Sequence, residues 1–184
     1  MTTQQQQKYW TYEDLFDLPE DKRYEIIEGV LYELPRVNSP HACTIMSLIL
    51  DVFGPVIPRL GGRLFTAPLD IFLHGGSSVQ PDLLVLLPDQ LGLINTRGIE
   101  GAPALVVEVL TFGNSRHDLV TKRALYARAG VREYWIVSPE AMTIEILTLD
   151  GDAYRKHARL AGDEPITSVL FPALAMPTSA IFHR

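Results

Sequence analysis

The sequence predicts an α/β fold, which some definitions class as α+β, with a central mixed β-sheet flanked by helices. Residues 104–137 read as strand, helix and strand, and hairpin patterns lie near both ends of a chain rich in short strands. The strand–helix–strand passage supplies parallel pairing and the hairpins supply antiparallel pairing, so the sheet should be mixed. Since no linker or internal repeat divides the chain, we expect a single domain over residues 9–184. We expect residues 1–8, at the polar N-terminus, to be a disordered lead-in.

Turn and capping residues set the boundaries in the N-terminal half. Thr11, with Asp14 three residues later, is typical of a helix start, and Pro19 ends that helix. Polar and apolar residues alternate around Glu28-Gly29, which predicts a hairpin. Ser39-Pro40 begins a longer helix. The elements predicted here are a helix at 11–17, a hairpin at 24–34, a helix from 39 to about 59 interrupted at 54–55, and strands at 69–73 and 82–87.

The C-terminal half begins with a loop at 88–101 and an apolar strand at 104–110. Ser115 begins a helix and Gly130 ends it, because glycine readily adopts the left-handed conformation that follows a helix. A strand at 134–137 and a hairpin around Asp150-Gly151 come next. The remaining tail carries apolar residues and should pack against the body of the domain.

Composition is that of an ordinary globular protein, with 47% apolar residues, 21% charged residues and a net charge of −6. No apolar run approaches the roughly 18–20 residues that cross a bilayer, and the N-terminus does not resemble a signal peptide. We therefore expect a cytoplasmic protein without membrane association. Cys43 is the only cysteine, so no internal disulfide forms, and we expect its side chain to be buried on a helix.

The acidic balance bears on the kind of nucleic-acid partner. Proteins that coat DNA non-specifically are usually basic, so the charge argues against that class. A nuclease is compatible with it, because a bound metal offsets the charge of its acidic ligands.

Two carboxylates occur where a charge is costly. Asp82 precedes the apolar run 83–87, and Glu108 lies within the apolar run 105–110. Such runs are typical of strands covered on both faces, where an ionised carboxylate needs a basic partner or a metal. Taken alone, Asp82 also fits a solvent-facing strand end, and Glu108 fits a simple ion pair.

A lysine falls on the apolar face of the helix predicted at 115–130. The apolar residues of that face are Leu119, Leu125, Tyr126 and Ala129. Lys122 lies in the middle of them, and Asp118 is in the position of a local ion-pair partner. Because this face points inward and the helix closely follows the Glu108 strand, we expect Lys122 to approach both carboxylates.

The combination of Asp82, Glu108 and Lys122 suits phosphodiester hydrolysis. Mg²⁺ takes oxygen ligands and keeps several waters, and Mn²⁺ can replace it. The metal polarises the phosphate and acidifies a bound water, while a nearby cation orients that water and stabilises developing charge. Residue type and spacing support this chemistry without excluding structural ion pairs.

An ordered series of motifs extends over nearly the whole chain. It comprises Tyr24–Gly29, Ser39–His41, Pro81-Asp82, Val106–Leu110, Asp118–Lys122, Tyr126, Gly130–Val137 and Leu170–Leu174. With this series, the chain resembles the Uma-type restriction endonucleases of the PD-(D/E)xK nuclease superfamily. The resemblance implies a restriction-endonuclease-like core and DNA as the substrate.

The resemblance also implies residue roles. Asp82 and Glu108 match the two catalytic, metal-binding carboxylates. The superfamily's lysine usually lies two residues after the second carboxylate, where this chain has Leu110, and the family pattern moves that role to Lys122. Glu25 resembles an early acidic residue that joins the metal site. The expected supporting residues are Asp118, His41, which caps or hydrogen-bonds at its helix start, and Tyr126.

The sequence leaves two functions open. One is a Mg²⁺-dependent (or Mn²⁺-dependent) endonuclease, a homodimer where both strands are cut, with Arg116 and Arg123 on the nucleic acid. The other is a non-catalytic nuclease-fold protein that binds nucleic acid or a protein partner, which the acidic charge favours. The segment Thr111–Ser115 departs from the family's usual Ser-Pro-Ser-Thr, so the fit of the substrate is the feature least determined by the resemblance.

Overall fold

The computed structural model describes residues 8–111 and 116–182, with the backbone alone for residues 116–119. The predicted lead-in therefore lies, apart from Lys8, outside the described residues. The strands are β1 (Tyr24–Ile27), β2 (Val30–Glu33), β3 (Arg63–Thr66), β4 (Ile71–Leu73), β5 (Ser77–Val79), β6 (Leu83–Leu86), β7 (Ile99–Glu100), β8 (Leu105–Val109), β9 (Glu133–Ser138), β10 (Thr143–Asp150) and β11 (Ala153–Ala161). The α-helices of the described part are α1 (Ser39–Ser47) and α2 (Arg116–Ala129). Shorter helical segments are Tyr12–Asp17, Pro58–Leu60, Pro88–Leu93 and Thr178–Ile181, all 3₁₀, and the π-helical segment Leu48–Phe53.

The strands form two mixed sheets. The small sheet has the order β2-β1-β5-β4-β7 and the large sheet the order β11-β10-β9-β8-β6-β3. The parallel pairs are β4 with β7 and β8 with β9, the second of which is connected through α2. The predicted mixed α/β class and both hairpins are confirmed, but the strands divide between two sheets instead of forming one central sheet. Two short strands, β3 and β5, lie where no element was predicted, and β7 lies in the loop predicted at 88–101.

Alternating side chains of the large sheet belong to two hydrophobic cores. In β6, Leu83 and Val85 pack in the first core, together with the π-helical segment and the C-terminal tail. Leu84 and Leu86 pack in the second core, between the large sheet, α2 and the small sheet. Both faces of β6 are therefore covered, as its apolar run predicts.

The C-terminal tail is anchored by a fully buried carboxylate. Glu133 accepts hydrogen bonds from the Trp135 indole (2.6 Å), the Ser168 hydroxyl (2.7 Å) and the amides of Val169 (3.0 Å) and Leu170 (3.2 Å). Four donors satisfy a charge that would otherwise be costly to bury. The apolar tail residues beyond them lie in the first core, which confirms the predicted packing of the tail.

The first long helix is correct in position, and its break at Gly54 is confirmed. The burial expected for Cys43 is wrong, because this side chain is exposed. The buried residues of α1 are His41, Thr44 and Ser47, and Cys43 lies on the opposite side of the helix. Among the described residues, no helix is long and apolar enough to span a membrane.

Candidate active site

Asp82 and Glu108 lie opposite each other where β6 and β8 pair. These strands are antiparallel with Leu83 opposite Val107, so the next pair along the ladder is Asp82 and Glu108. Opposed residues project from the same face, with Cβ atoms typically about 4.5–5.5 Å apart. By alternation that face is the one of Leu84, which belongs to the second core. The register thus brings the two predicted carboxylates together on the side of the sheet that α2 covers.

Helix α2 places Lys122 and Tyr126 beside Glu108. The two residues are one helical turn apart and therefore on the same side of the helix. Lys122 Nζ is 3.1 Å from Glu108 Oε1, and the Tyr126 hydroxyl donates to the same oxygen at 2.8 Å. Lys122 is only 8% exposed. The helix lysine therefore contacts the second carboxylate, while the apolar side chain of Leu110 lines the cavity next to it.

A third carboxylate, Glu25 of β1, contacts the other side of the Lys122 ammonium. Nζ is 2.9 Å from Glu25 Oε1 and 2.8 Å from Oε2, and Glu25 is 1% exposed. The Gln80 amide also donates to Oε1, at 2.7 Å. Lys122 thus bridges Glu25 and Glu108. Because both oxygens of Glu25 face the ammonium, its predicted part in a metal site stays a prediction, and its observed contact is with the lysine.

Asp82 is held by two groups on a single oxygen. The Val109 amide donates to Oδ2 at 2.7 Å, and Nε2 of His41 lies 3.2 Å from the same atom. His41 is buried at the start of α1, where Asn38 caps the helix by accepting from the His41 amide at 3.0 Å. Within the described chain, Nδ1 of His41 has no hydrogen-bond partner. His41 lies at the start of α1 and its ring contacts Asp82, while its supporting role stays a prediction.

Burial and neighbouring charges together determine the pKa values of Glu108 and Lys122. Burial raises the pKa of Glu108, Lys122 lowers it, and Asp82 and Glu25 raise it again, so that the pKa reaches about 7. Burial alone would lower the pKa of Lys122, but Glu108 and Glu25 outweigh burial and raise that pKa above its ordinary value. The amine therefore stays protonated at neutral pH and can act as a cation but not as a base.

The family resemblance implies a divalent metal ion, and the carboxylates of Asp82 and Glu108 fit one. In the described part of the chain, Asp82 Oδ1 and Glu108 Oε2 accept no hydrogen bond, since the protein contacts use Oδ2 and Oε1. A cation would also relieve the repulsion that contributes to the raised pKa of Glu108. No group of three or more His, Cys, Asp or Glu residues in residues 8–111 and 120–182 gathers in a metal-binding arrangement. Asp82 and Glu108 alone still fit Mg²⁺, because this ion binds through one or two carboxylates and keeps several waters.

The remaining predicted residues lie apart from this centre or outside the described residues. The Arg123 guanidinium donates to the Tyr154 carbonyl on β11 at 3.1 Å, so its contact with nucleic acid stays a prediction. The side chains of Arg116 and Asp118 lie outside the described residues.

Two polar residues of the cavity that contains Asp82, Glu108 and Lys122, here the candidate catalytic cavity, were not predicted from the sequence. Arg23 and Gln80 line the cavity that contains Asp82 and Lys122, and Arg23 Nε donates to Gln80 Oε1 at 3.1 Å. Arg23 is two residues before Glu25, so strand alternation places both on one face. That spacing was a usable signal for Arg23, whereas Gln80 had none.

Comparison with known proteins identifies a family and a fold. Residues 11–179 match the family described as "Uma2: Putative restriction endonuclease". A crystal structure of "a putative nuclease belonging to DUF820" from Anabaena variabilis ATCC 29413 matches with a TM-score of 0.77 and 19% sequence identity. The match covers 94% of this chain and 97% of that chain, and it confirms the predicted fold class. The comparison with curated proteins finds no match.

Glu108 should make the stability of the metal-free protein depend on pH. Its folded-state pKa of about 7 lies above the ordinary value of 4.5. Between these values the folded state binds more protons than the unfolded state, so this group lowers stability as pH rises. Glu108→Gln should abolish up to about 3 kcal/mol of that fall, measured by urea unfolding across the window. Glu140→Gln, at an exposed turn, is the control and should follow wild type. Parallel curves for wild type and Glu108→Gln would contradict the assignment.

Proposed function

The chain belongs to the Uma2 family, and on this premise we propose that it is a Mg²⁺-dependent endonuclease that hydrolyses phosphodiester bonds of DNA. The family supports a nuclease function, and the similarity to a nuclease-fold structure is consistent with it. The observation that carries the proposal is the meeting of Asp82, Glu108 and Lys122 in one cavity, although they come from three separate elements. Mn²⁺ should be able to replace Mg²⁺.

Asp82 and Glu108 are the residues that would hold the metal. When bound, the cation polarises the phosphate and makes a coordinated water more acidic. The protein contributes the orientation of both carboxylates. The Val109 amide and His41 hold Oδ2 of Asp82, and the Tyr126 hydroxyl holds Oε1 of Glu108. Partners of this kind, which hold the ligand residues, commonly tune a metal site.

Lys122 supplies a fixed positive charge next to the reacting phosphate. Its raised pKa keeps it protonated, so it can orient the attacking water and stabilise negative charge that develops on the phosphate oxygens. Glu25 holds the ammonium from the far side, so the charge is in place before a substrate arrives. A charge positioned in advance needs little reorganisation during the reaction, which makes it effective.

A non-catalytic protein that binds nucleic acid or a protein partner is the second candidate. The net charge of −6 favours it, and five exposed cations are already paired with carboxylates. The exposed cations paired with carboxylates are Lys8, Lys22, Arg128, Arg132 and Lys156. Paired cations contribute less to phosphate binding, which decides affinity for duplex DNA.

Cleavage of both strands of a duplex would need two copies of the site. We therefore also propose a homodimer, acting in the cytoplasm, for that reaction. Neither the assembly nor the compartment affects the chemistry within one chain.

Wild type should cut plasmid DNA in Mg²⁺ or Mn²⁺ and should stop when the metal is chelated. Asp82→Asn preserves the shape of the side chain and an acceptor for the Val109 amide but removes the charge that would bind the metal. Its cleavage rate should fall at least about a hundredfold. Asp89→Asn, which alters an exposed pair with Arg132, should cut as wild type does. Wild-type protein that cuts no DNA with either metal would favour the non-catalytic candidate, and an equally active Asp82→Asn would remove Asp82 from the mechanism.

Lys122→Met tests the lysine, but the single variant also leaves Glu25 and Glu108 without their cation. Breaking a buried pair in this way should destabilise the protein by about 3–5 kcal/mol. The double variant Glu25→Gln/Lys122→Met removes one of the stranded charges and should recover part of that stability. Its cleavage rate should nevertheless stay about a hundredfold or more below wild type, because the catalytic charge is still missing. Urea unfolding and plasmid cleavage measure the two effects separately. Wild-type cleavage by the double variant would make Lys122 purely structural.

A further inference from the structure

A second cavity joins the catalytic cavity and is lined by aromatic residues. This aromatic groove lies between the helix Tyr12–Asp17 and the start of β1, and it contains Tyr12, Phe16, Lys22, Arg23, Tyr24 and Gln80. It encloses about 760 Å³ of space open to solvent. Arg23 and Gln80 line both cavities, so the groove meets the catalytic cavity at these two side chains.

Phe16 presents its ring to solvent on a supported platform. It is 76% exposed, and Tyr12 lies edge-on to it with ring centroids 5.4 Å apart. Tyr12 is in turn packed on Phe72 at 4.8 Å, and the Arg97 guanidinium lies 5.0 Å from the centre of the Tyr12 ring. The Tyr12 ring is therefore held in place, whereas most of the Phe16 ring remains exposed. Its exposed face is flat and apolar, the kind of surface on which a nucleic-acid base stacks.

Arg23 supplies a positive charge at the junction of the two cavities. Its Nε donates to Gln80, whose own amide donates to Asp70 Oδ1 at 3.1 Å, so the guanidinium is oriented. Among the described residues no carboxylate forms an ion pair with Arg23, whereas neighbouring Lys22 is paired with Glu33 at 2.8 Å. Asp70 and Glu20 add negative charge to the groove. Among the described residues of the groove, the unpaired positive charge is that of Arg23, where the groove meets the catalytic cavity.

We propose that the aromatic groove binds unpaired nucleotides next to the scissile phosphate, and that the substrate is DNA with a single-stranded stretch. This inference rests on the proposed nuclease function. A base stacks on Phe16, and a backbone phosphate contacts Arg23 on its way into the catalytic cavity. Stacking on aromatic side chains combined with cations along the backbone is the usual way of binding a single strand. Bases of an intact duplex are stacked on one another and offer no face to Phe16.

The surface charge agrees with a single-stranded ligand. Duplex binding draws its affinity from many phosphate contacts, which the net charge of −6 disfavours. Stacking needs no charge, so one aromatic platform and one free arginine can contribute affinity to an acidic protein.

Fluorescence anisotropy of a labelled oligothymidylate, measured with Ca²⁺ in place of Mg²⁺ at constant low salt, tests the groove. Wild type should bind the single strand more tightly than the same strand annealed to oligodeoxyadenylate. Phe16→Ala should weaken single-strand binding at least about fivefold, the effect of losing one base–aromatic stack, and Phe16→Trp should restore it. Leu50→Ala, which removes another exposed apolar side chain, should bind as wild type does.

The phosphate contact has its own readout. Arg23→Gln should lower the slope of log affinity against log salt by about one contact, and exposed Arg63→Gln should leave it unchanged.

Cleavage in Mg²⁺ by the same preparations separates this inference from the proposed function. If wild type cuts DNA while Phe16→Ala binds the single strand as wild type does, the groove assignment is overturned and the nuclease stands. If wild type binds the single strand through Phe16 but cuts nothing, the groove stands and the nuclease is overturned. Tighter wild-type binding to the duplex than to the single strand also overturns the groove assignment.

Discussion

Lys122 shares one buried ammonium between Glu25 and Glu108, at distances of 2.8 and 3.1 Å, and the geometry of the site depends on this contact. The three residues belong to α2, β1 and β8, so the contact joins the helix to both sheets. Removing an ammonium from water costs several kcal/mol unless the charge is compensated. Separation of any of these elements would leave a buried charge without a partner. The ion pairs therefore fix where the helix lies on the sheet, and with it the position of a positive charge in the cavity that Asp82 lines.

The charges around Lys122 also leave the site with negative charge that the protein does not neutralise. Three carboxylates act on one another through Glu108, and a single lysine cannot neutralise them all. That excess of negative charge lowers the stability of the metal-free protein at neutral pH, and it would favour the divalent cation that we propose for this site. Perturbed titration of this kind is common where catalytic groups gather, because function needs charges that folding alone would avoid.

Local patterns in the sequence predict the elements of the site, and non-local contacts account for the rest. Helical spacing identified Lys122 as an inward-facing lysine, and apolar runs identified Asp82 and Glu108 as carboxylates in buried strands. The contact between Glu25 and Lys122 spans 97 residues and joins α2 to the small sheet, so no spacing rule predicts it. The family resemblance drew attention to Glu25, but the lysine as its partner came only from the structure.

The fold shows the same division. Strands of two to four residues, such as β3, β5 and β7, are too short for alternation to reveal, so their pairing and the split into two sheets could not be predicted. Cys43 was misplaced because residue type favours burial, whereas the face of α1 that packs inward is chosen by its contacts. Arg23 carried a usable signal in its spacing from Glu25, but the cavity it lines is formed by distant segments.

The central claim is that Asp82 and Glu108 bind one divalent metal ion while Lys122 remains paired beside them. The most direct measurement is anomalous scattering from crystals of the protein soaked in Mn²⁺. The account predicts a single strong peak in contact with the carboxylates of both Asp82 and Glu108, with the Lys122 ammonium still next to Glu108. No peak at these residues at saturating Mn²⁺, or a peak bound elsewhere in the chain, would contradict it.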